Sequence, residues 1–151
     1  MNVAKSGQMA IWISAAAALA TASAAPSADY DQCMRKAQTQ ADMADCANAR
    51  GGTADQELNK VYQDVLRKHA KDAAFVAKLK AAQRAWIAFR DAELAARFPA
   101  ADKSAAYGSS YPMCADTALE AMTRQRTEEL RRWLEGAQEG DVCAGSYRVG
   151  D

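Results

Sequence analysis

The strongest constraint on the fold is the spacing of apolar residues between Leu58 and His69. Leu58, Val61, Tyr62, Val65, Leu66 and His69 recur at steps of three and four, which places them on one side of an α-helix and on both faces of a strand. The same period returns in Phe75, Val76, Leu79, Ala82, Trp86, Phe89 and Leu94, and in Leu119, Met122, Leu130, Trp133 and Leu134. No window alternates apolar and polar residues long enough to propose a sheet. Three amphipathic helices on short connections bury their stripes most simply as a small antiparallel bundle, so the expected class is all-α.

Punctuation residues set the expected boundaries. Thr39 can cap a short helix through Cys46 or Arg50, Gly51-Gly52 is expected to interrupt it, and Thr53 or Asp55 to restart a helix reaching Ala70. Asp72 can cap the next helix, which is expected to stop at Phe98-Pro99 because proline disfavours helical geometry in the residue before it. Pro99, Gly108, Ser109, Ser110 and Pro112 mark residues 99–113 as a loop. The last long helix is expected from Cys114 or Asp116 to Leu134, with a tail from about Gly136.

Ahead of this domain, Lys5 precedes a run from Met9 to Ala20 that is apolar except for Ser14, and Thr21-Ala22-Ser23-Ala24-Ala25 follows. That order is expected of a secretory signal peptide over 1–24, cleaved after Ala24, with residues 25–151 as one domain. The apolar run is shorter than the roughly 20 residues of a spanning helix, and no cysteine follows it to take a lipid, so no membrane anchor is expected after cleavage. The expected location is the periplasm or the exterior. With 19 Lys plus Arg against 19 Asp plus Glu, no global field recruits nucleic acid or anionic lipid.

All four cysteines, Cys33, Cys46, Cys114 and Cys143, lie beyond the leader, and an even count in an exported chain reads as two disulfides. Three pairings are open; the short loops favour Cys33 with Cys46 and Cys114 with Cys143. No C-x-x-C pair occurs, so neither a zinc site nor any other metal is expected, and no cofactor.

Enzyme chemistry finds little footing. His69 is the one histidine and sits on an apolar face, where core packing is the commoner role. No nucleophile elbow, H-E-x-x-H or phosphate-cradling glycine loop occurs. Asp91 with Glu93 and Glu128 with Glu129 are too close in sequence to face one another on a helix. Polar residues do sit on the apolar stripes: Asp55 and Asn59 flank Leu58 and Tyr62, Gln83 and Arg90 bracket Trp86, and Arg126 falls between Met122 and Leu130. Buried arginines need partners, so Asp55 or Asp91 is expected to pair with Arg90 or Arg126 in a network that registers the helices.

The run Leu79 to Glu93, containing Gln83-Arg84-x-Trp86-x-x-x-Arg90-Asp91, resembles the hallmark of the LprI-like lysozyme inhibitor domain. Asp55-x-x-Leu58-Asn59-x-x-Tyr62 before it, Thr123-x-x-Arg126-x-x-x-Leu130 after it, and Cys33, Cys46 and Cys114 occur in that family's order. Where the family usually carries a cysteine after this run the chain has Leu94, and it adds Cys143; the resemblance therefore implies that Cys114 has exchanged a helical partner for the tail. It also implies an exported, non-enzymatic binding module that inhibits lysozyme-type wall hydrolases, the alternative being an envelope adaptor that binds another protein. A projecting element is needed to occlude a cleft, and Tyr107, Ser109, Ser110 and Tyr111 are the candidates in the 99–113 loop.

Overall fold

A computed structural model describes residues 28–149. The leader expected over 1–24 lies outside them. The order is α1 (Ala28–Lys36), α2 (Gln40–Lys68), α3 (Ala73–Arg97), α4 (Lys103–Tyr107), a single 3-10 turn (Gly108–Ser110) and α5 (Tyr111–Glu135). The class is all-α, as the periodicity requires.

α2 begins on a capping box. The Asp42 N–H donates to Thr39 Oγ1 at 3.1 Å, and the Thr39 N–H donates to Asp42 Oδ2 at 2.9 Å, so two otherwise orphaned donors are satisfied reciprocally. The backbone N–H of Gln38, with Thr39, holds the Asp42 carboxyl below its ordinary range. That lowered value makes the cap's contribution full above the unfolded pKa, to be lost as acid titrates the folded carboxylate. The helix then runs unbroken to Lys68, which corrects the expected interruption. Gly51 and Gly52 are absent from the positive-φ glycines; glycine permits a break without imposing one, and no proline enforces it.

Nothing lies within 4 Å of a Cβ placed at either glycine. Gly51→Ala and Gly52→Ala are therefore each expected to stabilise the fold by about 1 kcal/mol, the helix-propensity difference. In thermal unfolding followed by circular dichroism this amounts to a rise of about 4 °C per substitution.

α2, α3 and α5 run up, down and up, so α2 and α5 are parallel. Cross-contacts advance together along the two: Arg50 meets Glu120 at 3.3 Å, Arg124 reaches Glu57 at 3.4 Å, and Lys68 Nζ donates to the Leu134 carbonyl at 2.6 Å. Their interface is lined by alanines at the start, Ala47, Ala54, Ala115 and Ala118, and by Leu58, Val61, Val65 and Leu130 further along. At the far end His69, Phe75, Trp133 and Tyr147 stack ring on ring, with centroids 4.2 Å apart for His69–Phe75 and 3.9 Å for Trp133–Tyr147. His69 is buried there among aromatic rings.

α3 contributes a narrower face. Leu79 and Gln83 are its buried residues, and the less exposed positions run 75, 76, 79, 83, 86, 90 and 94. Phe89, expected in the core, is 59% exposed, because the seam turns toward Gln83 and Arg90 instead of Ala82 and Phe89.

One expected disulfide forms and the other does not. Cys33 and Cys46 are bridged, Cα atoms 5.8 Å apart, and tie α1 against the start of α2. Cys114 and Cys143 are free thiols. Cys114 lies in the first turn of α5, whereas the tail is fastened beyond its last, by Tyr147 on Trp133, the Ala137 N–H to the Arg148 carbonyl at 2.8 Å, and Arg148 to the Lys68 carbonyl at 3.2 Å. About 30 Å of helix separates them at 1.5 Å per residue, and a disulfide needs Cα atoms within about 7 Å.

Candidate partner-binding site

The motif residues divide between a seam and a cleft. At the seam, Arg126 Nε donates to Gln83 Oε1 at 3.1 Å, joining α5 to α3, and Arg126 also pairs with Glu129 at 3.0 Å. Trp86 packs against the core, as does Tyr62 from α2. Arg90 lies over Trp86 at 5.4 Å and pairs with Asp91 at 2.8 Å. The expected Arg90–Asp91 pair thus forms, between chain neighbours and with Asp91 largely in solvent. Asp55 and Asn59, expected on the core face, are exposed; the α2 stripe that buries Ala54, Leu58, Val61 and Val65 leaves both on its flank.

The cleft, about 330 Å³, opens where α2, α3 and α5 meet. Asn48, Gly51, Gly52 and Asp55 come from α2, Arg90 from α3, and Asp116, Leu119, Glu120 and Thr123 from α5. Thr123 Oγ1 donates to Asp55 Oδ1 at 3.5 Å, and Thr127 Oγ1 to the Thr123 carbonyl at 2.9 Å. Glu120 is held by Arg50 at 3.3 Å and by Arg124, and Arg50 lies 3.8 Å over the Tyr30 ring. Asp55 and Asp116 take part in none of the ion pairs among the described residues.

Of the cleft residues, the sequence marks Asp55 and Arg90 as polar groups on apolar stripes, Thr123 through the Thr123-x-x-Arg126 pattern and Leu119 as an apolar position, whereas nothing in it singles out Asn48 or Glu120. Gly51 and Gly52 were legible only as punctuation. Asp116, Glu120, Thr123 and Thr127 recur at steps of four, three and four, a polar stripe on α5 whose period is as helical as that of the apolar stripe beside it.

The 99–113 segment is not a plain loop, since it folds as α4, the 3-10 turn and the start of α5, with Pro112 in the first turn of α5, a position that needs no N–H. Its tyrosines do not project. Tyr107 and Tyr111 stack at 5.9 Å, both edge onto Phe98 at 5.3 and 5.2 Å, and the Ala100 N–H donates to the Tyr107 hydroxyl at 3.0 Å. Ser110 is half-buried and Ser109 is exposed.

Residues 33–130 match the family described as lysozyme inhibitor LprI. The chain belongs to the LprI family. A protein of Rhizobium meliloti (strain 1021), described as uncharacterized, is 37% identical over 115 residues, covering 69% of this chain and 80% of that relative. No solved structure matches the chain. The match runs from the bridged Cys33 to the fully buried Leu130, so the LprI unit here is α1 through most of α5, and the tail past Glu135 lies beyond it. Among the described residues, no helix is long and apolar enough to cross a membrane, and no cluster of His, Cys, Asp or Glu is arranged to hold a metal.

Proposed function

We propose that this LprI protein is an exported, non-catalytic module that binds and inhibits a lysozyme-type cell-wall hydrolase. The observation that carries the reading is the family match over 33–130, which takes in α2, α3 and all the residues around the cleft. The Cys33–Cys46 bridge supports it, since such bonds persist in oxidising compartments such as the periplasm or the exterior.

The binding surface centres on the cleft, and the corner at Tyr107, Ser109, Ser110 and Tyr111 extends it, because the 3-10 turn packs on both α2 and α5. The aromatic knot around Phe98 makes that corner stiff. Little conformational entropy is then lost when a partner meets Ser109.

Clearing of a cell-wall suspension by lysozyme is the test. Purified protein is expected to slow clearing in proportion to its molar ratio and to co-elute with the enzyme on gel filtration. Unchanged clearing with no complex would remove the inhibitor reading in favour of an envelope adaptor.

A further inference from the structure

We propose that this protein pairs with a second copy of itself through α3, the two helices lying antiparallel so that Phe89 of each enters an apolar hollow beside α3 of the other. The pairing goes beyond the inhibitor reading and does not depend on it.

The first observation is a face of α3 that the fold leaves open. Phe75, Lys78, Ala82, Ala85, Phe89 and Ala92 recur at alternating steps of three and four, the heptad spacing that seams one helix to another. From Lys78 onward each of them is exposed, because α3 turns Leu79, Gln83 and Arg90 toward its own bundle. Phe89 is 59% exposed, and no other aromatic ring among the described residues is as open to solvent. An apolar strip that carries a bare ring is the mark of an interaction surface.

The second observation is a hollow of about 500 Å³ on the same face, toward the other end of the helix. Phe75, Leu79 and Ala82 of α3, Trp133 of α5 and Ser146 of the tail line it, and the rings of Phe75 and Trp133 already meet edge to face with centroids 4.9 Å apart. A third ring entering there finds aromatic edges and faces to pack on. Lys78, in the middle of the lining, lies about 16 Å of helix from Phe89 at 1.5 Å per residue, so a chain cannot fill its own hollow. An antiparallel copy can. A two-fold axis between Ala82 and Ala85 delivers both rings to both hollows at once, and the contact is isologous and closed. The small alanines then fall at the crossing, where the two backbones come closest.

The third observation is charge. α3 has no carboxylate before Asp91, whereas Lys78, Lys80 and Arg84 lie in that part of it. Asp91 is held by Arg90, and Lys71, Lys78 and Glu93 enter none of the ion pairs among the described residues. With the axis between Ala82 and Ala85, Glu93 of one copy stands opposite Ala74 of the other, within one turn of both Lys71 and Lys78. The carboxylate of Asp72 beside them is already engaged by the Phe75 N–H at 2.9 Å. A parallel pair would set lysine against lysine. Charge therefore selects the same antiparallel register as the ring and the hollow.

One helix pair is at the small end of protein interfaces, so the association is expected to be reversible and to show at high protein concentration. Sedimentation velocity of the purified protein over a wide concentration range is the test, with a shift from monomer toward dimer expected as concentration rises. Phe89→Ala is expected to weaken self-association by about tenfold or more, with the melting temperature of dilute protein unmoved, since Phe89 has no place in the core of the single chain. Glu93→Lys is expected to weaken it severalfold, and Lys71→Glu/Lys78→Glu/Glu93→Lys to recover it, because the pairing is then reversed but kept. A monomer at every concentration would overturn the proposal. So would a dimer insensitive to Phe89→Ala, a Glu93→Lys loss that the combined variant does not recover, or a dimer present only as a covalent species through the exposed Cys143 on nonreducing electrophoresis. Loss of a lysozyme complex in Phe89→Ala, with no self-association in the unaltered protein, would give this face to the hydrolase instead.

Discussion

Leu130→Ala is expected to destabilise the protein by about 3 to 5 kcal/mol, at the upper end for a leucine truncated in a packed core. Leu130 has 0% exposure and lies in one cluster with Leu58, Val61 and Val65 of α2 and Leu79 of α3, so the cavity would be walled by three helices at once. Partial collapse is hard there, because α2 and α5 are also held in register on either side, by the Arg50–Glu120 ion pair and by the hydrogen bond from Lys68 Nζ to the Leu134 carbonyl. A domain of this size has about 5 to 15 kcal/mol in total, so one substitution removes a large share. Phe89→Ala provides the contrast: at 59% exposed it is expected to change stability by less than about 0.5 kcal/mol. Urea titration reads both, as a shifted midpoint at constant slope for Leu130→Ala and an almost unmoved one for Phe89→Ala. Equal losses would mean that α3 packs through its apolar stripe after all.

That contrast marks where the sequence could be read and where it could not. On α2 the apolar and buried stripes coincide at Leu58, Val61 and Val65, so spacing alone sufficed. On α3 they part by one residue: apolarity selects Ala82 and Phe89, whereas the structure turns inward Gln83 and Arg90. The reason is the bond from Arg126 to Gln83, a partner 43 residues away that no local pattern contains. The Q-R-x-W-x-x-x-R-D run was noticed because its polar members sat beside core positions, and its seam role explains them.

The second pairing of cysteines failed for a different reason. Loop length and the departure at Leu94 from the family's cysteine pattern were the guides to Cys114 and Cys143, and neither carries information on which end of α5 the tail is fastened to. The cleft could not be foreseen either, since its residues come from three helices whose relative rotation is settled by packing. What is legible is its parts: Asp55 and Arg90 as polar groups on apolar stripes, and Gly51-Gly52 as punctuation that permits a break in α2 without imposing one.

Glu120→Ala is expected to cost about 3 kcal/mol, comparable with a core truncation although no apolar contact is deleted. The Glu120 side chain is 10% exposed and faces Arg50, itself 14% exposed, and Arg124 at 33%. Removing one member of so enclosed an ion pair leaves a largely desolvated charge without its partner, a larger penalty than the pair's own net contribution. Arg50 is poorly placed to compensate, since its Nε is already buried without a hydrogen-bond partner and its remaining support is the Tyr30 face. The double variant Arg50→Ala/Glu120→Ala should therefore be more stable than Glu120→Ala alone, with a coupling of about 1 to 2 kcal/mol in the cycle. Strict additivity in urea titrations would show that Arg50 and Glu120 do not act as a pair.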